Sequence, residues 1–515
     1  MGWPVRRGFD YGVGAGLLLA VYGVAVLGYL IVISWTQPIL DAHGFRQTQT
    51  AISAYWMLRG GPLLAYQTPV LGSPWSIPFE FPFYQWLVAA LSAVSGLTID
   101  HSGRVVSALF FLGSAYLVYL TAMAVRRDKS LAWLCAGCFL ASPLLIFWSR
   151  AVMIESTAVF FSIAFMWAIA EHVRTEKLSW VAVAGASAVL ATLVKVTTFF
   201  GFAVVVCSAL MWVWLRDREP GYFRRGMRAA AVSAAPVVVA LGCLKLWLHM
   251  ADELKAQTAW GSSLTSESLA LWNYGSLAQR VNVDFWRGIV FGRALIDGFG
   301  SRLLFAVAAT VVLVNSRTRG AGIILLVGYL APFLVFTNLH FVHDYYQCAN
   351  IVFATSVMAL GVWSLKTGIA GRLRALPAFA ALVVCILSWG KIGHGYAPII
   401  RQDFAAMKVT ALANELRQAT GPDSGVLLVG LGWSSEVPYY AERRTLMLPA
   451  WTPLAAYAKV ADPERAFGSV KVGAVVVCPD ELPKEAETRV EMGAVVAKYT
   501  AGRNRSQVAG CDIYI

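Results

Sequence analysis

Eleven apolar stretches recur along this chain, and they decide its fold class before any other feature is weighed. They occupy 12–35, 105–125, 131–148, 152–171, 179–194, 197–215, 229–249, 303–316, 321–339, 349–365 and 376–390. A helix of about 17–25 apolar residues crosses a bilayer, because it satisfies its own backbone hydrogen bonds where no water can. The composition leaves no soluble alternative: 58% of residues are hydrophobic and 14% charged, whereas a soluble domain carries about 25% charged residues. The same figures exclude a disordered chain and a small disulfide scaffold. The chain therefore reads as a polytopic α-helical membrane protein. Its 42 Lys+Arg against 29 Asp+Glu, a net +13, require no nucleic-acid partner, since basic residues at the cytoplasmic ends of spans account for them.

Those basic residues also set the orientation. Arg6/Arg7, Arg126/Arg127/Lys129, Arg174/Lys177, Arg216/Arg218/Arg224/Arg225/Arg228, Arg317/Arg319 and Lys366/Arg372/Arg374 cluster in only some of the gaps, and the positive-inside rule places them all in the cytoplasm. One full crossing then separates the outer end of 12–35 from Arg126, and 105–125 supplies it. The apolar run in 81–97 is about 22 Å long as a helix, short of the hydrocarbon thickness, and is expected to lie along or dip into the outer face. The result is eleven spans with the N-terminus inside and the C-terminus outside. The first stretch lacks a small-residue cleavage site and is expected to stay as a spanning helix.

Residues 1–390 are thus expected to form a transmembrane domain. Its long first external loop, 36–104, carries interfacial and re-entrant helices, and 250–302 forms a second external stretch. Residues 391–515 are expected to form a small external α/β domain, with a helix at 402–419 and buried strands at 425–432 and 472–480. Cys135 and Cys138 form a CxxC within LAWLCAGCFLAS; with no companion ligand they read as small lipid-compatible side chains. Cys478 and Cys511 lie beyond the last span, in an oxidising compartment. Cys478 ends VGAVVVC and Cys511 precedes the alternating terminal strand DIYI, so a disulfide between them is predicted.

The external turns carry the polar chemistry. QPILDAHGFRQTQTA holds Asp41, His43 and Arg46 within six residues; a helix starting near His43 would align Arg46, Thr50 and Ala54, and Asp41 equally suits a cap. SPLLIFWSRAVMIESTAVFF places Arg150 and Glu155 between the third and fourth spans. A carboxylate against an apolar span is costly and usually faces a cavity, although pairing with Arg150 alone would also shelter it. LATLVKVTTFF bears one Lys, Lys195, in an otherwise uncharged outer hairpin, where snorkelling is the plainer role. NLHFVHDYYQCAN supplies His340, His343, Asp344, Tyr345 and Tyr346, and FEFPFY supplies Glu80. Acid, cation and phenol on one side of a membrane are what an enzyme using a lipid-phosphate donor needs. A carboxylate takes the acceptor's proton, and cationic donors meet the leaving phosphate.

The order and spacing of these groups over roughly 12–390 resemble the GT-C glycosyltransferases, and within them the protein O-mannosyltransferase and lipid A aminoarabinose transferase group. The tokens that carry the resemblance are HGFRQTQTA, YWMLRGG, FEFPFYQWLVAALSAVSG, SRAVMIES, LVKVTTF and HDYYQ. One branch of these enzymes has HEWRQADTA where this chain has HGFRQTQTA, so Gly44 and Gln49 replace its acids and Asp41 is the one carboxylate in this stretch. The resemblance implies inverting transfer from a polyprenyl-phosphate sugar to a glycan, lipid or protein acceptor at the outer face of a bacterial cytoplasmic membrane. It implies Asp41 as catalytic base and Glu155 as second active-site acid. Lys195, His343, Tyr345, Tyr346 and Arg150 would meet the donor phosphate, and His43, Arg46, Glu80 and His340 would contact substrate. The spacing of Asp41, Glu155 and His343 admits a divalent metal without requiring one. A transporter or flippase of a lipid-linked or small anionic substrate is the alternative; such proteins place charges near the midplane and often show inverted repeats, and this sequence shows neither. An envelope scaffold subunit would leave the one-sided acids and bases without a role.

Overall fold

A computed structural model describes residues 10–216, 222–368 and 375–515. Arg6, Arg7, Arg218, Arg372 and Arg374 lie outside the described residues. The chain divides into two compact units: Met1–Ile33, Ser107–Leu244 and Leu271–Pro398 form one, and Ser34–Val106, Lys245–Ala270 and Ile399–Ile515 the other.

Each of the eleven apolar stretches is helical, but not all as single rods. Among the described residues, seven helices are long and apolar enough to cross a membrane: Tyr11–Ser34, Ile99–Arg126, Glu155–Thr175, Ser179–Arg216, Ala230–Gln257, Gln347–Lys366 and Leu376–Ile400. The pair Phe285–Phe299 and Arg302–Val314, bent by 98°, counts as an eighth if taken as one span. The stretch expected as one span at 131–148 is broken into Lys129–Leu140 and Pro143–Trp148. Pro143 has no N–H to continue the first helix and disfavours helical backbone at Ser142 before it. The run expected to lie along or dip into the outer face is the 13-residue helix Phe83–Ser95.

The helix Ser179–Arg216 hides a turn. Lys195 has extended backbone, φ −164° and ψ 92°, within it, and it is flanked by the β-branched residues Val194, Val196, Thr197 and Thr198, which fit a helix least well. Trp180 packs on Trp167 with ring centroids 4.9 Å apart, and Lys195 pairs with Glu155 at the start of Glu155–Thr175. Had the axis run straight on, Phe199 would stand roughly 6 Å beyond Lys195, away from Phe165. Instead the Phe165 and Phe199 rings are 5.1 Å apart. The chain therefore folds back at Lys195, as the two stretches 179–194 and 197–215 implied. Ala184 and Val206, on opposite sides of the turn, share one apolar core with Phe165 and Ile169.

In the second unit a five-stranded sheet has the order β2-β1-β3-β5-β4, with β1 Gly425–Val429, β2 Arg444–Leu448, β3 Val472–Val477, β4 Arg505–Val508 and β5 Cys511–Tyr514. β1 runs parallel to β2 and β3, while β5 is antiparallel to β3 and β4. The predicted helix at 402–419 is shorter, Lys408–Ala419. The first loop covers the sheet's open edge. Thr445 and Met447 of β2 donate to the carbonyls of Pro69 and Val70 at 3.0 Å each, a device that keeps an edge strand from pairing elsewhere.

Cys478 and Cys511 form the predicted disulfide. It joins the end of β3 to β5, whose register pairs Val477 with Asp512. By the chain-entropy model a loop of this size contributes about 3–4 kcal/mol. Six of the eight cysteines should label with a thiol reagent under denaturing, non-reducing conditions, and all eight after reduction. Reduction should also lower the unfolding temperature of the sheet domain. Full labelling without reductant would show the bridge to be absent.

Candidate active site

Each unit gathers one cluster of the residues expected to be functional. In the first, Glu155 opens its helix and Lys195 sits at the turn, 3% and 9% exposed. The Lys195 ammonium donates to Glu155 Oε1, so the partner of this carboxylate is a lysine brought from the next hairpin. The same ammonium lies 3.7 Å from the Tyr346 ring centroid and 4.8 Å from that of Tyr345, a cation–π arrangement that strengthens as water is removed. His343 stacks on Tyr345 and Tyr346 at 5.1 and 6.0 Å, and the two tyrosines stack at 4.9 Å. The other Glu155 oxygen, Oε2, is buried without a hydrogen-bond partner. Glu155 also lines a small, mostly apolar cavity of about 20 Å³, room for little more than one water, with Phe111, Phe139, Trp148, Ser149 and Cys348. A buried carboxylate oxygen beside apolar side chains is costly unless a hydrogen-bond donor meets it.

Arg150 is 1% exposed, with its guanidinium 4.5 Å over the Phe147 ring. His340 is buried against Phe333 at 4.5 Å. Burial, reinforced by the charges of Lys195 and Arg293, pushes its imidazole down to about 3. At neutral pH His340 is therefore uncharged and offers a hydrogen bond rather than a cation.

In the second unit the helix Gly44–Leu58 starts after His43, whose backbone is left-handed at φ 50°. Asp41 does not cap it in the expected way; its Oδ1 accepts from Gln47 Nε2 at 2.6 Å, and Gln47 also donates to the Ala42 carbonyl at 2.9 Å. Arg46 pairs with Glu80 at 3.0 Å and donates to Gln49 Oε1 at 2.5 Å. Gln85 donates to Glu80's other oxygen at 3.1 Å. Arg46 and Glu80 are thus one polar unit rather than two independent contacts. Among the described residues, the trio gathered closely enough to ligate a metal is Cys478, Asp480 and Cys511, and its two thiols are spent in the disulfide.

Two features escaped the sequence. The Asp297–Lys391 ion pair, 2.6 Å, joins single charges set in the apolar runs ALIDGF and SWGK, and the cost of such charges was the available signal. Glu436 has no local signal. Its Oε1 lies 2.5 Å from where a Cβ on Gly44 would stand, so any side chain at residue 44 would displace it from the first turn of the helix that follows Asp41. Burial raises the Glu436 carboxyl above its ordinary 4.5, partly offset by a hydrogen bond from Ser434. A raised carboxyl favours the fold while protonated; the contribution is full below pH 4.5 and is lost as pH rises through the folded-state value. Glu436→Gln should therefore raise the unfolding temperature at pH 8 and leave it unchanged at pH 4. An equal shift at both pH values, or a lower temperature at pH 8, would contradict this.

Residues 54–252 match the family model described as dolichyl-phosphate-mannose-protein mannosyltransferase. No curated protein matches the chain. Among solved structures, ArnT from Cupriavidus metallidurans bound to undecaprenyl phosphate is 14% identical, with a TM-score of 0.64 over 96% of this chain and 97% of that one. The archaeal oligosaccharyltransferase AglB from Archaeoglobus fulgidus is 12% identical, with a TM-score of 0.58 over 91% of this chain and 69% of that one. The arabinofuranosyltransferase AftD from Mycobacteria is 15% identical, with a TM-score of 0.52 over 96% of this chain and 39% of that one. The fold is that of the GT-C glycosyltransferases, carried by an integral membrane protein with a small C-terminal sheet domain.

Proposed function

We propose that the protein is an inverting glycosyltransferase that moves a sugar from a polyprenyl-phosphate donor to an acceptor hydroxyl or phosphate. The observation that carries this reading is the buried Lys195, held between Glu155 and the faces of Tyr345 and Tyr346 in a fold shared with an undecaprenyl-phosphate-bound structure. A lipid phosphate reaching this ammonium meets a cation already desolvated and oriented, where its charge counts for more than in water.

In the reaction the acceptor oxygen bonds to the anomeric carbon as the bond from that carbon to the phosphate oxygen breaks. Polyprenyl phosphate leaves with an added negative charge, which Lys195 stabilises with Tyr345, Tyr346 and His343, while Arg150 orients the donor. The acceptor's proton passes to Asp41, whose carboxylate is oriented by the bond from Gln47. Glu155 holds Lys195 when no donor is bound and contacts the sugar when one is. Arg46 and Glu80, with His43 and His340, contact substrate.

The same reading places eleven spans in the cytoplasmic membrane, with these clusters and residues 391–515 on the external face. Undecaprenyl phosphate released from an undecaprenyl-phosphate sugar by the purified protein tests the proposal. A protein that carried the donor across a bilayer without cleaving it would be a transporter. The family model, and the neighbours whose descriptions name an activity, are transferases and lend that alternative no support.

A further inference from the structure

The turn bearing His343, Tyr345 and Tyr346 is stapled from a distant part of the chain. Arg293 ends the π-helical stretch Phe285–Arg293, a geometry that is rare and enriched at functional sites. Its Nη2 donates to the His340 carbonyl at 2.5 Å and its Nη1 to the Phe341 carbonyl at 3.3 Å. With the Gln347 amide turned so that its oxygen rather than its nitrogen faces the guanidinium, the orientation its neighbours require, that oxygen accepts from Nη2 at 2.8 Å and from Nε at 3.1 Å. One guanidinium thus closes both ends of the turn 340–347, and Gln347 is fully buried at the second end. Between those ends the three rings stack within 25–29° of parallel, and two of them face Lys195. Asp297 and Asp344 act electrostatically on the same guanidinium, which keeps its charge balanced in a half-buried place.

We propose that Arg293 is the positioning residue of the lipid-phosphate site: it holds the turn His340–Gln347 in the geometry that aligns Tyr345 and Tyr346 on Lys195 and so presents the ammonium to a phosphate head group. The inference rests on the donor-site reading above. It requires the fork of the guanidinium and not its charge alone, because a lysine donates from one point and cannot span residues 340 and 347 together.

The test uses the full-length protein in detergent, with undecaprenyl phosphate and undecaprenol as paired probes and native mass spectrometry as the readout. The wild type should prefer the phosphate by roughly tenfold or more, the value of a charge-assisted contact. Arg293→Lys and Arg293→Gln should both lose most of that preference while binding undecaprenol as the wild type does. Gln347→Leu, which frees one end of the turn, should lose part of it. A preference kept in full by Arg293→Lys would overturn the inference, as would an equal loss of both lipids, which is what a merely structural role produces. No phosphate preference in the wild type, or one kept by Lys195→Met, would instead remove the donor site on which the inference stands.

Discussion

Lys195→Met should cut donor use by about 10²–10³, and adding Glu155→Gln should restore the fold without restoring activity. The two halves of this expected result separate structure from chemistry. Removing the lysine alone leaves the Glu155 carboxylate buried without its counter-charge, a defect of about 3–5 kcal/mol, so the single variant should unfold more readily. Neutralising Glu155 as well removes the orphaned charge, and the thermal transition should recover most of the loss. Activity should not recover, because the cation that meets the departing phosphate is gone and so is the carboxylate that contacts the sugar; losing one such preorganised group costs about 10²–10³ in rate. Unfolding temperature and undecaprenyl phosphate release, measured on the same three preparations, check it. A double variant with activity within a few-fold of wild type would relegate Lys195 to a structural ion pair.

Asp41→Asn should lower transfer by about 10²–10⁴, the usual contribution of a general base. The substitution keeps size and shape, and the amide oxygen of Asn can still accept from Gln47 Nε2, which lies 2.6 Å from Asp41 Oδ1 in the native protein. Stability and undecaprenyl phosphate binding should therefore stay near wild type while turnover collapses. If turnover survives, the base lies at another carboxylate, and Glu80 and Glu155 would be the next to neutralise.

Much of the scaffold was legible because local rules and tertiary packing agree. Apolar length marked the helices, and the break between 179–194 and 197–215, with its lone lysine, marked the turn at Lys195. The buried run ending at Cys478 and the alternation after Cys511 marked two strands that do pair. The break before Pro143 was equally readable from Ser142–Pro143, and hydropathy alone smoothed it over. Other features depend on partners that no local pattern reveals. Thr48 and Ser435 share a 3.0 Å hydroxyl contact across 387 positions, and Tyr439 and Tyr440 both reach Asp100, at 2.5 and 3.1 Å. These bonds bring residues of the sheet domain against the first loop, and they explain why Glu436 rather than a nearby acid sits over Gly44. Individual residues of the site were legible as types. Their pairing was not: Arg46 with Glu80 and Lys195 with Glu155 follow from folding, since opposite charges taken out of water must find one another.

The measurement that bears most directly on the central claim follows the fate of the donor. Purified protein in liposomes would be given undecaprenyl-phosphate sugars of several kinds, together with an envelope extract as acceptor source. Mass spectrometry would track intact donor, free undecaprenyl phosphate and newly glycosylated product. A transferase releases undecaprenyl phosphate from at least one donor in step with product, and Asp41→Asn and the Lys195→Met/Glu155→Gln variant do not. Donor that crosses the bilayer intact, with no undecaprenyl phosphate formed from any sugar, would contradict the account.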